Sequence, residues 1–216
     1  MMHRWLFAAA LACAAFVPDR ASAGETPSFG RAGTVVLEDV VGAGVVAAGP
    51  ATPLGLGVGG AVGLQQTGWL SFGSLETGGG HTRYVRVAPS FDVFVADGTS
   101  IGARVAGGVT RLESLGSNLK VWDATVAPRV GYAFELADDV TAWPRIGAAL
   151  TVFDGPGLVR TGAILRVPLE VPFVFRLSRR VAFDVGPELA YVRTLSGPLD
   201  VRGVTGGVRG GLSLVF

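Results

Sequence analysis

Apolar side chains alternate with polar or small ones along most of the chain after its first 33 residues. Within residues 82–95, valines and Phe91 occupy odd positions, whereas Tyr84, Arg86, Ser90 and Asp92 occupy even ones. Successive side chains of a β-strand point to opposite faces, so this period of two predicts strands with one apolar and one polar face. The chain is therefore expected to be all-β.

Eight segments share the alternation: 34–47, 82–95, 101–110, 121–136, 140–153, 163–177, 181–192 and 204–216. Three of the connections are tight turns (96–100, 137–139 and 178–180), and four are longer and rich in Gly, Ser, Asp or Pro (48–81, 111–120, 154–162 and 193–203). Short turns on one side and long loops on the other are typical of membrane barrels. We therefore predict an eight-stranded antiparallel up-and-down transmembrane β-barrel.

The mid-strand charges of the last seven segments lie on the parity opposite the large apolar residues. They are Arg86, Asp92, Arg104, Asp123, Arg129, Glu135, Arg145, Arg166, Glu170, Arg176, Asp184, Glu188 and Arg209. If the apolar parity faces lipid, these charges face a narrow lumen, where an unpaired charge would be very costly. We predict a lumen charge network that also includes Glu38 or Asp39, which leave the frame of the first strand open.

The first 23 residues have the features of a secretory signal peptide. His3 and Arg4 precede a twelve-residue apolar run, and the small residues Ala21-Ser22-Ala23 follow it. This organisation predicts a signal peptide at 1–23, an N-terminal periplasmic segment at 24–33 and a barrel domain at 34–216. Cys13, the only cysteine, lies in the leader; the alternative is that it is lipid-modified.

The signal peptide, the eight alternating strands and the terminal sequence Leu212-Ser213-Leu214-Val215-Phe216 resemble the small single-chain outer-membrane β-barrels, such as the OmpA and OmpX barrels. Segments 88–97 and 143–147 are similar to parts of uncharacterised bacterial outer-membrane barrels. The resemblance implies outer-membrane localisation, contact with outer-membrane lipid and assembly by the barrel-assembly machinery. Leu212, Leu214 and Phe216 would then be the assembly signal, and no catalytic residues are implied.

Several other functions are disfavoured by composition. Without the leader the chain has 16 basic and 16 acidic residues, with Lys120 as its only lysine, which argues against a nucleic-acid partner. Segments 42–47 and 55–60 match the dinucleotide-binding glycine pattern, but neither is followed by a predicted helix, and Pro50 and Pro53 block one after the first match. Outside the leader the chain has one histidine, His81, and no cysteine. These are too few ligands for a zinc or copper site, so we expect no cofactor.

The expected function is a non-enzymatic, monomeric structural or surface-interaction protein with long external loops. Three alternatives are a narrow channel, a lipid-modifying enzyme using His81 with Ser71 or Ser74, and a lipocalin-like carrier. The seven inward arginines argue against the carrier, which would need an apolar interior. Asp184 and Glu188 would lie roughly 13 Å apart along one strand, too far for glycoside hydrolysis. We expect them to pair with Arg145, Arg166 or Arg209.

Two features do not fit a regular eight-stranded barrel. Prolines lie inside predicted strands at positions 89, 128, 144, 168, 172 and 187, where we expect bulges. Segment 54–75 is apolar enough to form two further strands, so a ten-stranded barrel is the alternative. The aromatic residues near strand ends, Trp143 among them, fit either an interfacial girdle or strand packing.

Overall fold

The computed structural model describes residues 29–47, 62–66, 68–77, 80–114, 117–156, 161–197 and 202–216. The predicted signal peptide, residues 24–28 and the glycine-rich segment 55–60 lie outside these residues. The strands are β1 (Val35–Ala47), β2 (Val62–Gln66), β3 (Leu70–Thr77), β4 (Gly80–Val87), β5 (Ser90–Ala96), β6 (Thr99–Ser114), β7 (Ser117–Tyr132), β8 (Phe134–Ala137), β9 (Val140–Ala142), β10 (Arg145–Gly147), β11 (Ala149–Asp154), β12 (Gly162–Glu170), β13 (Phe173–Arg176), β14 (Val181–Ser196) and β15 (Arg202–Val215). No helix among the described residues is long and apolar enough to cross a membrane.

Eight antiparallel strands close a ring in the order β1–β5–β6–β7–β11–β12–β14–β15, and β15 pairs with β1. We call each of the eight positions in the ring a track. Most of the remaining strands continue one of these tracks: β4 precedes β5, β8 follows β7, β9 and β10 precede β11, and β13 follows β12. The eight tracks correspond to the eight segments predicted from the sequence. The prediction of an all-β, eight-stranded antiparallel barrel is therefore confirmed.

The two ends of the barrel differ in their connections. The three short turns and the C-terminus lie at one end, called the turn end, and the opposite ends of the strands form the loop end. The predicted loop 111–120 is wrong, because Arg111 pairs with Lys120 and the ladder between β6 and β7 continues to Ser114 and Ser117. The strands of this hairpin therefore extend well beyond their predicted ends.

Strands β2 and β3 are inserted between β1 and β4 in the loop half of the barrel. β2 pairs with β1 and β3 pairs with β4, whereas in the turn half β1 pairs directly with β5. The tracks separate at Trp69, whose N–H donates to the Asp39 carbonyl (3.1 Å) and whose carbonyl accepts from the Ala88 N–H (2.8 Å). The ten-strand alternative thus applies only to the loop half.

The prolines lie where the backbone ladders are interrupted. Pro89, Pro144 and Pro172 each occupy a break between consecutive strands on one track. Pro128 and Pro187 lie inside β7 and β14. The Pro128 carbonyl accepts from the Ala148 N–H and the Pro187 carbonyl from the Val171 N–H (3.0 Å each). Ala148 and Val171 lie in strand breaks of the neighbouring tracks. Pro168 lies inside β12, opposite Ala190. The predicted bulges are therefore strand breaks at three prolines, and the register shifts occur elsewhere.

The outward face of the barrel is apolar over most of its height. Its exposed large side chains are Val41, Leu70, Phe72, Val85, Val87, Val95, Ile101, Val109, Trp122, Val126, Val130, Tyr132, Phe134, Leu136, Ile146, Leu150, Val152, Leu169, Phe173, Phe175, Leu177, Phe183, Leu189, Leu195, Val204, Val208, Leu212 and Phe216. Large apolar groups that would normally form a core here lie outside, as the parity of the sequence predicted.

The interior of the turn half contains a small apolar core. Phe29, Phe94 and Trp143 pack with ring centroids 5.0–5.5 Å apart, and each is at most 7% exposed. Trp143 is therefore a packing residue rather than part of a girdle. Gly30 accepts from the Gly98 N–H (2.7 Å), which holds the chain before β1 against the turn end. Phe29 therefore packs against the interior of the barrel although it precedes the first strand.

Candidate functional site

The first carboxylates of the interior come from an irregularity in β1. The register of β1 against β15 shifts between Leu37 and Val41, and Asp39 has a φ of 52°. In a regular strand Glu38 and Asp39 would point to opposite faces. The shift instead buries both side chains completely, so both carboxylates enter the barrel where the sequence left the choice between them open.

Glu38 is the centre of a network of ion pairs. Its carboxylate contacts the guanidinium groups of Arg129 (2.5 Å), Arg145 and Arg209 (3.0 Å). It also accepts a hydrogen bond from the Ser90 hydroxyl (3.1 Å). Three cations around one carboxylate require further acids nearby, because unpaired buried guanidinium groups would be costly.

Those acids are Asp39, Asp92 and Glu170. Arg129 also pairs with Asp92, and Arg145 also pairs with Glu170 (2.8 Å). Arg209 bridges Glu170 (2.9 Å) and Asp39 (3.5 Å). We use the term central network for the eight residues Glu38, Asp39, Asp92, Arg104, Arg129, Arg145, Glu170 and Arg209.

The central network is electrically balanced and almost completely buried. Four arginines face four carboxylates. The fourth arginine, Arg104, forms an ion pair with Asp39 (2.5 Å). The side chains other than Arg104 are at most 9% exposed, and Arg104 is 22% exposed. Buried charges in this geometry are stabilised by several partners each, which is the arrangement that offsets their desolvation.

An aromatic residue supports one side of the central network. The guanidinium carbon of Arg145 lies 4.3 Å from the ring centroid of Trp143, a cation–π contact. The Trp143 indole N–H donates to the Ser100 hydroxyl (3.0 Å). The charged middle of the barrel therefore rests directly on the apolar core of the turn half.

Two further ion pairs lie on the loop side of the central network. Arg86 pairs with Asp123 (2.8 Å) and Arg166 pairs with Glu188, and each arginine side chain is 34% exposed. Arg86 also donates to the Thr125 hydroxyl (3.3 Å). These two pairs join four more of the predicted lumen charges.

Two predicted members of the charge network are not part of it. Arg176 pairs with Asp139 (3.2 Å) at the turn end, where Asp139 is 73% exposed, and Glu135 is exposed near the same end. Both residues lie close to the ends of their strands, where the parity still points inward but the interior opens to solvent. Sequence parity therefore predicted their direction and overestimated their burial.

The predicted pairing of Arg209 with Asp184 or Glu188 is wrong. Arg209 contacts Glu38, Asp39 and Glu170, whereas Asp184 accepts from the Ser213 hydroxyl (2.9 Å) and its second oxygen is buried without a hydrogen-bond partner. Glu188 is held by Arg166, as expected for one of the three suggested arginines. The bulge at Asp39 is what supplies Arg209 with closer acids.

Glycines make room for the central network. A Cβ at Gly102 would lie 2.1 Å from Asp92 Oδ1 and 2.5 Å from the Phe91 carbonyl oxygen. At Gly131 it would lie 2.6 Å from Cγ of Arg145 and 2.8 Å from the Trp143 nitrogen. Both approaches are shorter than van der Waals contact, so these two positions require glycine.

The central network has the chemistry of a closed structural core. Its acids are each neutralised by arginines, and no group of three or more His, Cys, Asp and Glu that could hold a metal lies among the described residues. Segment 42–47, which matched a dinucleotide pattern, lies inside β1 and is paired with β15. It therefore forms a strand and not a phosphate-binding turn.

The residues of the alternative lipid-modifying enzyme lie on two paired strands. In the ladder between β3 and β4, Glu76 is opposite His81 and Ser74 is opposite Arg83, while Ser71 is opposite Arg86. The side chains of His81, Ser71 and Ser74 lie outside the described part of the structure. The hypothesis of a histidine–serine pair therefore stays a prediction.

Comparison with known proteins adds no family to this geometry. No protein-family model matches the chain, and no curated protein matches it. The functional argument therefore rests on the two faces of the barrel.

Proposed function

We propose that this protein is an integral outer-membrane β-barrel, closed inside by ion pairs, that acts as a structural or surface-interaction protein through its loop end. The observation that carries the proposal is the inverted polarity of the barrel. Large apolar side chains cover the outside, and charged side chains from the middle of the strands converge inside. A soluble barrel has the opposite arrangement.

The outward apolar surface is too extensive for a soluble monomer. Such proteins rarely expose contiguous apolar patches of more than a few hundred square ångströms. Here every track of the ring carries exposed large hydrophobic residues, from Val41 in β1 to Leu212 in β15. Lipid chains are the environment in which this surface would be stable.

The height of the apolar surface fits a membrane. Trp122 and Tyr132 are both exposed on the outward face of β7, ten residues apart. Ten residues at about 3.4 Å each span about 34 Å of strand. A strand tilt of about 40° reduces this to about 26 Å, close to the ~25 Å apolar band of membrane barrels.

Closure of the ring also favours a bilayer. Because β15 pairs with β1, the turn half of the barrel has no free strand edge. Backbone N–H and C=O groups in lipid have no water to satisfy them, so a spanning sheet must be closed. The last pair of bonds joins Val35 and Phe216, each donating its N–H to the carbonyl of the other (2.9 Å).

The filled interior favours a structural role over a channel. The central network and the apolar core beneath it occupy the turn half, with buried side chains from most tracks. An eight-stranded barrel is just wide enough for side chains to fill. The protein should therefore conduct little or no current in a planar bilayer, whereas steady porin-sized conductance would favour the narrow-channel alternative.

Fractionation tests the proposed location. The expressed protein should be recovered with the outer membrane, resist extraction by salt and migrate differently on gels when unheated, as closed barrels do. In the proposal its partners are outer-membrane lipid and the barrel-assembly machinery, and it is a monomer. Recovery as a soluble periplasmic protein would contradict the proposal.

A further inference from the structure

Exposed basic side chains on the described strands occur only near the loop end. They are Arg83 on β4, Arg111 on β6, Lys120 on β7, Arg193 on β14 and Arg202 on β15. Their parity is that of the outward apolar residues, so they do not belong to the interior charges. This clustering of exposed basic groups at one height suits an anionic partner outside the barrel.

Three of these residues lie side by side. In the backbone ladders Arg83 is directly opposite Arg111, and Arg111 is directly opposite Lys120. We call Arg83, Arg111 and Lys120 the basic row. Residues in directly opposite positions have Cβ atoms about 5 Å apart, and like charges at that spacing destabilise a sheet. An anion bound between them would remove this repulsion.

The basic row lies immediately beyond the apolar surface. The next outward residue on each strand, two positions toward the turn end, is apolar: Val85, Val109 and Trp122. Trp122 is the residue that marks the loop-side limit of the ~26 Å band. The charged groups are therefore at the height where lipid headgroups begin.

Of the two carboxylates described near the basic row, neither is directly opposite Arg111 or Lys120. Glu113 lies two residues beyond Arg111 toward the loop end and is half-buried. Asp154, opposite Trp122 on β11, accepts a hydrogen bond from the Thr161 hydroxyl (2.6 Å). Arg83 also interacts within the protein, so the site rests on the exposed Arg111 and Lys120.

We propose that the basic row binds the phosphate groups of lipid headgroups in the leaflet at the loop end. This inference rests on the proposed membrane insertion and names the lipid chemistry that the barrel selects. A guanidinium group can donate two parallel hydrogen bonds to phosphate, and an ammonium group adds a compact charge. Arg111 and Lys120, on neighbouring strands, hold one phosphate between them.

Trp122 provides the readout for the test. The mature barrel is reconstituted into vesicles of phosphatidylcholine containing brominated phosphatidate, which quenches tryptophan on contact. Trp143 is buried, and Trp69 is replaced by Phe in every variant, so quenching reports on Trp122. The affinity of phosphatidate relative to phosphatidylcholine should fall about fivefold for each neutralised residue in the Arg111→Gln/Lys120→Gln variant.

The matched control neutralises the other basic pair. Arg193 and Arg202 are directly opposite each other on β14 and β15, on a different side of the ring from Trp122. The Arg193→Gln/Arg202→Gln variant loses the same net charge and should keep the phosphatidate preference at Trp122. Equal loss in both double variants would mean general charge attraction and would overturn the site.

A second readout uses the single lysine of the chain. Acylation of Lys120 by a water-soluble reagent should slow in phosphatidate vesicles and not on addition of inorganic phosphate. Equal protection by inorganic phosphate would overturn the lipid assignment.

The failures of the two proposals are distinguishable. If brominated phosphatidylcholine alone never quenches Trp122, the barrel is not inserted, and the proposed function fails. If Trp122 is quenched but prefers neither lipid, the barrel is inserted and the phosphate site is wrong.

Discussion

Glu38 and Arg145 are 107 residues apart in the chain and form an ion pair inside the barrel in which each side chain is about 1% exposed. β1 and β10, which carry them, share no backbone ladder. The pair therefore joins tracks that the sheet itself does not connect. Stability of the barrel should depend on such cross-lumen contacts as well as on strand pairing.

The first prediction concerns Arg145. Replacing it by Ala removes partners from both Glu38 and Glu170 and leaves buried carboxylates with unbalanced charge. We expect the free energy of unfolding in detergent, measured by urea titration, to fall by about 3–5 kcal/mol.

The matched control for Arg145 is Arg176, an inward arginine at the solvent-exposed turn end. Its ion pair with Asp139 is exposed, so Arg176→Ala should cost less than about 1 kcal/mol. Similar losses for the two variants would show that the central network is not dry.

The second prediction concerns the partner of Arg209. A double-mutant cycle with Arg209→Ala and Glu170→Ala should give a coupling energy of about 1–3 kcal/mol, because the two groups are in contact (2.9 Å). The same cycle with Asp184→Ala should give a smaller coupling, since Asp184 is held by Ser213. A larger coupling to Asp184 would restore the pairing suggested by sequence alone.

The difference between those partners shows what parity can and cannot predict. Alternation placed Arg209 and Glu170 on the inner face, because a strand repeats every two residues. It could not predict which inward acid Arg209 contacts, because that depends on the shift at Asp39. The register of β1 against β15 shifts there by two residues, which buries both Glu38 and Asp39 and leaves Val41 outward on the same parity as Leu37.

The third prediction tests the glycines beneath the central network. Gly102→Ala should destabilise the barrel by about 1–3 kcal/mol, because the new methyl group would overlap Asp92 and the Phe91 carbonyl. Gly107→Ala, on the same strand, is the control: its Cβ would meet only the Asp123 carbonyl at 3.6 Å. Thermal unfolding of both variants measures the difference, and equal unfolding temperatures would contradict the close packing at Gly102.

The fourth prediction separates two roles of Phe216. Its backbone closes the ring with Val35, while its side chain is half exposed and shares the outward face with Leu212. If the side chain is an assembly signal, Phe216→Ala should lower the folded yield in cells and leave refolding in detergent unchanged. Deleting Phe216 should impair both, and by more than deleting three residues of the 48–81 connection. If Phe216→Ala gives the wild-type folded yield in cells, the Phe216 side chain is not an assembly signal.

Non-local packing accounts for the other features that the sequence did not predict. Phe29 precedes the first alternating segment and carries no periodic signal, yet it packs between Phe94 and Trp143. The apolar character of 54–75 did suggest extra strands, but their insertion only in the loop half follows from the backbone bonds of Trp69. Alternation along a strand thus predicts which face of the barrel a residue lies on, whereas the residues it contacts depend on how distant segments pack together.

The central claim is that the apolar face of the barrel contacts lipid, and it can be measured directly. A nitroxide attached to a single cysteine at Val126 or Val130, both outward on β7 and about half exposed, reports collisions with oxygen and with a water-soluble nickel chelate. In isolated outer membranes, labels at both positions should collide often with oxygen and rarely with nickel, and a label at Lys120 should show more nickel contact. Nickel access at Val126 and Val130 equal to that at Lys120 would mean that this face is in water, and would contradict the account.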